Sequence, residues 1–338
     1  MARVVIATAH HHILEHLSAA LRVRGHEVVG VLSAGALPVM AEVVARVGCP
    51  RFELPLLPGE LNIGRGMRSN PAYAEQVKTA AAELADLEAD FLVGWAINVL
   101  PRFLLATARH PINVHPSDLP RYRGGFPLEA QILDGERKLY ISVHHTVPRI
   151  DAGAVLARSR ALKIRRSDTM NGLLAQIMPV GAAMLGDVVT GWGRLSPVPP
   201  PPVEDPLPHA WGIKRVRDAD GREWNAGVLG RLRIEWPVDS ARDIARAARA
   251  FDMIGGAFTN HGPHLFRITK AQTLQRTVSA EPGQVLALVD GGLEVQARDA
   301  VVRLWGRFAA AEGAIRAGER FVSTEPISRV LGLTGAER

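Results

Sequence analysis

The sequence predicts an α/β domain on a mostly parallel sheet, then a proline-rich linker, then a small β-barrel. Three observations carry this prediction. Over the first ~190 of 338 residues, short β-branched runs alternate with stretches whose apolar residues recur at helical spacing. The segment SPVPPPPVED, residues 196–205, is half proline, and so many prolines hold a chain extended and semi-rigid. Beyond it, short strand-like runs sit between turn signals. The expected divisions are an α/β domain over 1–192, a linker over 193–206, a β-barrel over 207–321 and a tail over 322–338.

Residues 3–9 (RVVIATA) read as the first strand, and residues 13–23 as a helix that stops before Gly25. Strands follow at 26–32 and 51–56, with a helix between them at 38–47 stopped by Gly48. An Ala-, Glu- and Leu-rich helix covers 73–88, and strands cover 91–96 and 112–115. Little polar alternation interrupts these strands, so both faces of the sheet are expected to be covered. Residues 126–133 read as a short helix, 139–146 and 154–164 as strands, and 169–190 as a long helix. After the linker, strands are expected at 228–236, 265–270, 284–288, 293–296 and 301–305, with one helix at 243–251. Asp290-Gly291-Gly292 supplies a hairpin turn. Trp211, Trp224, Trp236 and Trp305 are expected in the barrel core rather than on a base-stacking surface.

Composition narrows the class. No run approaches the ~18 consecutive apolar residues of a membrane helix, and the N-terminus lacks a secretory h-region and cleavage site. No membrane partner is expected, and the expected compartment is the cytoplasm. Cys49 is the only cysteine, which excludes an internal disulfide framework and a cysteine-based zinc cluster. The net charge of +6 is spread over scattered arginines with no block of five, the pattern of a mildly basic enzyme.

Ligands of open α/β sheets bind at the carboxyl ends of the strands. The first such turn, Ala7-Thr8-Ala9-His10-His11-His12, has no glycine, which disfavours a nicotinamide dinucleotide. His10, His11 and His12 are read either as acceptor contacts or as surface polarity. No metal site is expected there, because three consecutive residues do not easily face one ion and no carboxylate partner is evident nearby. The informative segment is 111–153. Asn113 and His115 lie two residues apart on a strand and so share a face. Asp151 lies beyond the next strand. A neutral donor, an imidazole and a carboxylate in one cleft can stabilise an oxyanion and move a proton.

The run Asn113-Val114-His115-Pro116-Ser117-x-Leu119-Pro120-x-Tyr122-Arg123-Gly124 resembles the signature of 10-formyltetrahydrofolate-dependent formyltransferases. The stretch from His144 to Gly153 is similar to the family's His-x(6)-Asp-[TA]-Gly element. Glu235-Trp236-Pro237 and Gly255-Gly256-Ala257-Phe258-Thr259 resemble the barrel of its tRNA and sugar-nucleotide branches. The resemblance implies a Rossmann-like catalytic domain, an OB-like C-terminal barrel, and formyl transfer from 10-formyltetrahydrofolate to an amine without a metal. Asn113 and protonated His115 match the groups that stabilise the tetrahedral oxyanion, and Asp151 the group that orients His115 and assists proton transfer. By position Trp95, Ala96 and Ile97 would border the pterin, with Val147 to Asp151, including Ile150, opposite.

The acceptor is less legible. Ser117 reads either as a turn cap or as a supporting residue, and Arg121 and Arg123 as solvated charges or as contacts to an acceptor phosphate. Residues 33–40 are short and uncharged where tRNA-directed members carry a longer basic loop, and 60–69 offers two arginines as a weaker substitute. Asp118 adds negative charge where the family has Leu, and Phe126 replaces a small residue. These departures favour a small-molecule amine, such as a nucleotide-linked amino sugar. Methionyl-tRNA is the alternative, followed by a hydrolase that releases formate and by a non-catalytic folate binder.

Overall fold

The computed structural model describes residues 1–34, 38–54, 63–97, 99–199, 215–217, 223–225, 228–308 and 314–322. The chain divides into two compact units. The first comprises 1–125, 139–162 and 175–209; the second comprises 126–138, 163–174 and 210–338.

The first unit runs β1 (Arg3–Ala7), α1 (His11–Val23), β2 (Glu27–Ala34), α2 (Pro38–Val47), β3 (Arg51–Leu54), α3 (Ile63–Ser69), α4 (Pro71–Ala85), β4 (Ala89–Gly94), α5 (Arg102–Leu105) and β5 (Ala108–His115). After α6 (Pro127–Asp134) and β6 (Lys138–Leu139) come β7 (Ser142–His145), β8 (Val155–Arg158), β9 (Leu162–Lys163) and α7 (Met170–Thr190). The main sheet has the order β3-β2-β1-β4-β5-β7-β8. β3 to β5 are parallel, and β7 and β8 add antiparallel. Both faces are covered, as the unbroken apolar strands require. Val5 and Ala7 join a core with Val77 and Leu84 of α4 and Leu104 of α5, while Val4 and Ile6 are just as buried on the opposite face.

The chain leaves β1 for β2 and β3, then returns to place β4 on β1's other side. That reversal is the switch point where such sheets bind ligands. Trp95 N–H donates to Ala7 O and Ala9 N–H to Ala96 O, both at 3.1 Å, lacing the two strand ends together.

The second unit contains α6, the start of α7, the two short strands β10 (Arg215–Arg217) and β11 (Glu223–Asn225), and α8 (Ala241–Ala250). The remaining strands are β12 (Ala257–His261), β13 (His264–Thr273), β14 (Val285–Val289), β15 (Gly292–Gln296), β16 (Val301–Phe308) and β17 (Phe321–Val322). They form an antiparallel sheet in the order β14-β15-β16-β13-β12-β17. The sheet curls until its edges meet, with Val285 N–H on Glu319 O at 2.8 Å and Phe321 N–H on Gly283 O at 2.9 Å. Asp290 and Gly291, both at positive φ, turn β14 into β15. α8 starts at a capping box of Ser240 and Asp243 and packs on α6 within this unit. Its Arg246 lies over Gly135, where α6 ends, and Arg249 donates to Asp168 O at 2.7 Å.

Several expected elements differ. The strand expected over 228–236 starts as a 3-10 turn, Leu229–Leu232, and only Arg233 bridges to Phe258. The buried residues explain this: Val228 and Leu232 are spaced for a helix, whereas Leu232, Ile234 and Trp236 alternate as an extended chain does. The runs expected at 139–146 and 154–164 each break into two short strands. β12 and α3 were not expected as elements. Trp236 is core, its indole N–H on Thr259 Oγ1 at 2.8 Å. Trp305 is not: it stands half-exposed with Lys270 Nζ 4.7 Å from its ring. The side chains of Trp211 and Trp224, residues 35–37 and 60–62, most of the linker and the tail beyond Val322 lie outside the described residues.

Candidate active site

Asn113 and His115 end β5 on one face, as their spacing predicts. Their register partners on β7 are His144 and Ser142, and Asn113 also pairs with Gly94 of β4. Gly94 is needed there, because a Cβ would stand 2.9 Å from Asn113 Oδ1. Asp151 follows β7 in the left-handed region, φ 46°, a conformation Asp tolerates better than most residues. Gly153 lets the chain turn back, since a Cβ would fall 1.8 Å from the His145 carbonyl oxygen.

These elements bring two imidazoles and one backbone N–H onto the Asp151 carboxylate. Its Oδ2 lies 3.6 Å from His115 Nδ1 and accepts from Gly124 N–H at 2.9 Å. Its Oδ1 lies 3.5 Å from His144 Nε2, which sits 3.1 Å from Asn113 Nδ2. Backbone carbonyls set both imidazole tautomers. His115 Nε2–H donates to Tyr122 O and His144 Nδ1–H to His145 O, both at 2.8 Å. In the neutral ring His144 Nε2 then accepts from Asn113 Nδ2–H, and His115 Nδ1 faces the carboxylate.

The electrostatics follow from burial and from these neighbours. His115 is 4% exposed. Burial lowers its proton affinity; Asp151 and the Tyr122 carbonyl oppose this, while His144 and Arg123 add to it, and the net direction is down. Burial alone would raise the Asp151 pKa. His115, His144 and the Gly124 N–H outweigh it and hold the carboxyl well below the usual range. At neutral pH the site holds an ionised Asp151 carboxylate beside a His115 imidazole whose proton affinity burial has lowered.

The other expected site residues are placed as follows. Trp95 is buried against α7, where a Cβ on Gly181 would come within 2.4 Å of its ring. Ala96 is exposed at φ 50° and Ile97 half-buried, so this turn offers backbone groups and a small apolar surface at the switch point. Val147 is 36% exposed, and the Ile150 carbonyl is bound by Arg123. His10, His11 and His12 open α1, with the His10 and His11 rings stacked and His12 tilted against them; contrary to expectation a carboxylate does lie nearby, Glu15 Oε2 at 3.1 Å from His12 Nδ1. Among the described residues no group of three His, Cys, Asp or Glu is arranged to hold a metal. Ser117 is fully buried and its hydroxyl donates to Arg121 O at 2.6 Å, a turn-holding contact. Arg121 is exposed, 5.1 Å from the Tyr122 ring. Asp118 does not stand as a free charge, because Arg158 pairs with it at 2.7 Å. Sequence reasoning gave His144 no role, although it heads the His-x(6)-Asp element. The Tyr122 carbonyl and Gly124 N–H are backbone groups that no residue-type motif reports.

Comparison with known proteins gives the family. Residues 1–189 match the formyl transferase family and residues 231–324 match its C-terminal domain. The chain belongs to the formyl transferase family, a family of formyl-transferring enzymes. It is 30% identical over 224 residues to the methionyl-tRNA formyltransferase of Listeria monocytogenes serotype 4a, covering 64% of this chain and 66% of that one. The match to the methionyl-tRNA formyltransferase of Stenotrophomonas maltophilia is 30% over 307 residues, covering 89% of this chain and 91% of that one. Thus the chain spans just under two thirds of the Listeria relative but nine tenths of the Stenotrophomonas one. Among solved structures, HypX from Aquifex aeolicus in complex with tetrahydrofolic acid shares the fold, with TM-score 0.57 and 19% identity, covering 99% of this chain and 48% of that one.

Proposed function

We propose that this protein transfers a formyl group from 10-formyltetrahydrofolate to the amino group of methionyl-tRNA. The donor supplies an activated formyl carbon on nitrogen. The exposed turn at Ala96 and Ile97 and the loop from Val147 to Ile150 would hold its flat, polar-edged ring between backbone groups and small apolar surfaces. As the amine attacks, Asn113 Nδ2 offers a hydrogen to the developing oxyanion. The amine's proton passes to the cluster of His115, Asp151 and His144 and returns from it to the departing folate nitrogen. His115 arrives neutral at neutral pH, so proton acceptance comes first and its protonated form serves afterwards.

The observation that carries the acceptor is the Stenotrophomonas match, which runs through both the catalytic and the C-terminal module. It outweighs the expectation of a small amine, one support of which, the charge on Asp118, is neutralised by Arg158. A small-molecule amine stays as a second reading for one reason: β2 ends at Ala34 and α2 begins at Pro38, with no Lys or Arg between them to meet a phosphate backbone. In either reading the protein works in the cytoplasm. α7 is long and apolar enough to cross a membrane, yet its Leu173, Ile177 and Leu185 are fully buried in the fold.

The test is release of tetrahydrofolate from 10-formyltetrahydrofolate with purified protein. Initiator methionyl-tRNA, amino-sugar nucleotides and free amino acids are each supplied as acceptor. Turnover with methionyl-tRNA is expected. Turnover only with a small amine would replace the acceptor, and formate release without any amine would make the protein a hydrolase.

A further inference from the structure

Three consecutive residues of the turn after β5 tie the two halves of the site together. Tyr122 accepts the His115 Nε2–H at its carbonyl. Arg123 donates from Nε to the Ile150 carbonyl at 2.7 Å, and its Nη2 binds the same oxygen. Gly124 N–H holds Asp151 Oδ2 at 2.9 Å. Two of the anchored residues, Tyr122 at φ 56° and Asp151 at φ 46°, are non-glycine residues in the left-handed region, a conformation that persists only where surrounding contacts enforce it.

Arg123 is the side-chain member of this clasp, and it is 3% exposed. A buried guanidinium gives up solvation that an apolar side chain would not lose, so packing alone does not call for it. Its burial also removes it from the surface where an acceptor phosphate would meet it; Arg121 is the exposed arginine of the turn. We propose that Arg123 is a positioning residue, whose grip on the Ile150 carbonyl sets the Asp151 carboxylate between His115 and His144. This rests on the formyl-transfer reading of the site. Arg123 also acts on His115 by its charge. The groups facing that imidazole are Asp151 and the Tyr122 carbonyl, which favour its protonated form, and His144 and Arg123, which favour its neutral form. Removing the guanidinium leaves the first pair less opposed.

The experiment compares the full chain with Arg123→Gln and Arg123→Lys. For Arg123→Gln, kcat falls about 10–100-fold, the scale of losses when groups behind a catalytic residue are removed. The acceptor KM stays within about threefold, because Arg123 does not touch the acceptor. The limb of the pH profile that belongs to His115 moves to higher pH. Arg123→Lys keeps the charge but not the fork; it recovers part of kcat and leaves that limb in place. The His115 titration is read in parallel by NMR of ring-labelled histidine without substrate. A wild-type protein inactive with every acceptor would defeat the formyl-transfer reading, and the NMR titration would still decide whether Arg123 governs His115. Three results overturn the proposal: a raised acceptor KM with unchanged kcat, an unmoved His115 titration in a folded Arg123→Gln protein, or full activity in that variant. If Arg123→Gln does not fold, Arg123→Lys decides. A kcat loss with native circular dichroism and an unmoved His115 titration supports the clasp, and wild-type kcat removes it.

Discussion

Both units bury charged and polar groups, but they use them differently. In the second unit Glu294, 5% exposed, lies between Arg276 and Arg303, so the carboxylate is matched by two guanidinium groups. Arg249 ends on a backbone carbonyl and Arg246 on the last turn of α6. In the first unit Asp151 faces two imidazoles, whose charge depends on a proton, and one N–H. Charges matched in this way fix a packing arrangement. A carboxylate set against imidazoles is instead able to exchange a proton, and catalysis needs that exchange.

The largest expected effect comes from removing the Asp151 carboxylate. Asp151→Asn should lower kcat/KM by about 10²–10⁴, the range for loss of a proton-transfer group, while the folded structure survives. Acid should also separate this variant from the wild type. Below the ordinary His pKa the unfolded chain takes up a proton that folded His115 resists, so stability falls as pH falls through that value. Asp151 adds a second loss lower down, because its folded carboxyl stays ionised after the unfolded one has protonated. Asp151→Asn lacks that second slope. Urea melts between pH 3 and pH 7 test this, and equal slopes in both proteins would show that the Asp151 carboxylate is not held low.

The second prediction concerns an exception within the matched unit. Asn260 of β12 is 1% exposed, and among the described residues neither its side-chain nitrogen nor its oxygen has a hydrogen-bond partner. An unsatisfied buried amide costs about 1–3 kcal/mol, and an apolar residue of similar shape removes that cost. Asn260→Leu should therefore raise stability by about 1–2 kcal/mol, read as a higher urea midpoint with unchanged transfer activity. A lower midpoint would mean that ordered water satisfies Asn260 and that the second unit is matched throughout.

The same contrast sets what could be read from the residues alone. The parallel core was legible because β-branched runs such as 3–7 and 91–94 have no polar alternation, and that pattern has few structural solutions. Asn113, His115 and Asp151 were legible because side-chain chemistry at strand spacing reports itself. The Tyr122 carbonyl and Gly124 N–H were not, because every residue carries those groups and only the fold aims them. The same limit hid the affiliation of α6. Its sequence looks like one more helix of the α/β domain, yet residues 126–138 group with the C-terminal unit, where α8 supplies its packing. That partner lies about a hundred residues away, beyond a proline-rich linker that reads as a boundary.

α6 also carries the smallest effect we expect, and it tests whether the second unit holds a proton of its own. Burial raises Glu129, in the first turn of α6, to about 7, and the charge of Asp252 adds to the rise. The sign is opposite to that of Asp151. Below the ordinary Glu value both folded and unfolded states hold the proton, and stability is unaffected by it. Between that value and about 7 the unfolded chain releases its proton while the folded one keeps it, so stability declines as pH rises. Above that window the decline levels off. Glu129 is only half-buried by area, so solvent screens part of the effect. We expect Glu129→Gln to gain about 1–2 kcal/mol over wild type at pH 8 and almost nothing at pH 4, from the usual conversion of a pKa difference discounted for exposure. Urea midpoints at the two pH values read this directly. A gain that does not depend on pH would assign the effect to packing against α8, and Glu129 would then not be a proton-linked carboxylate.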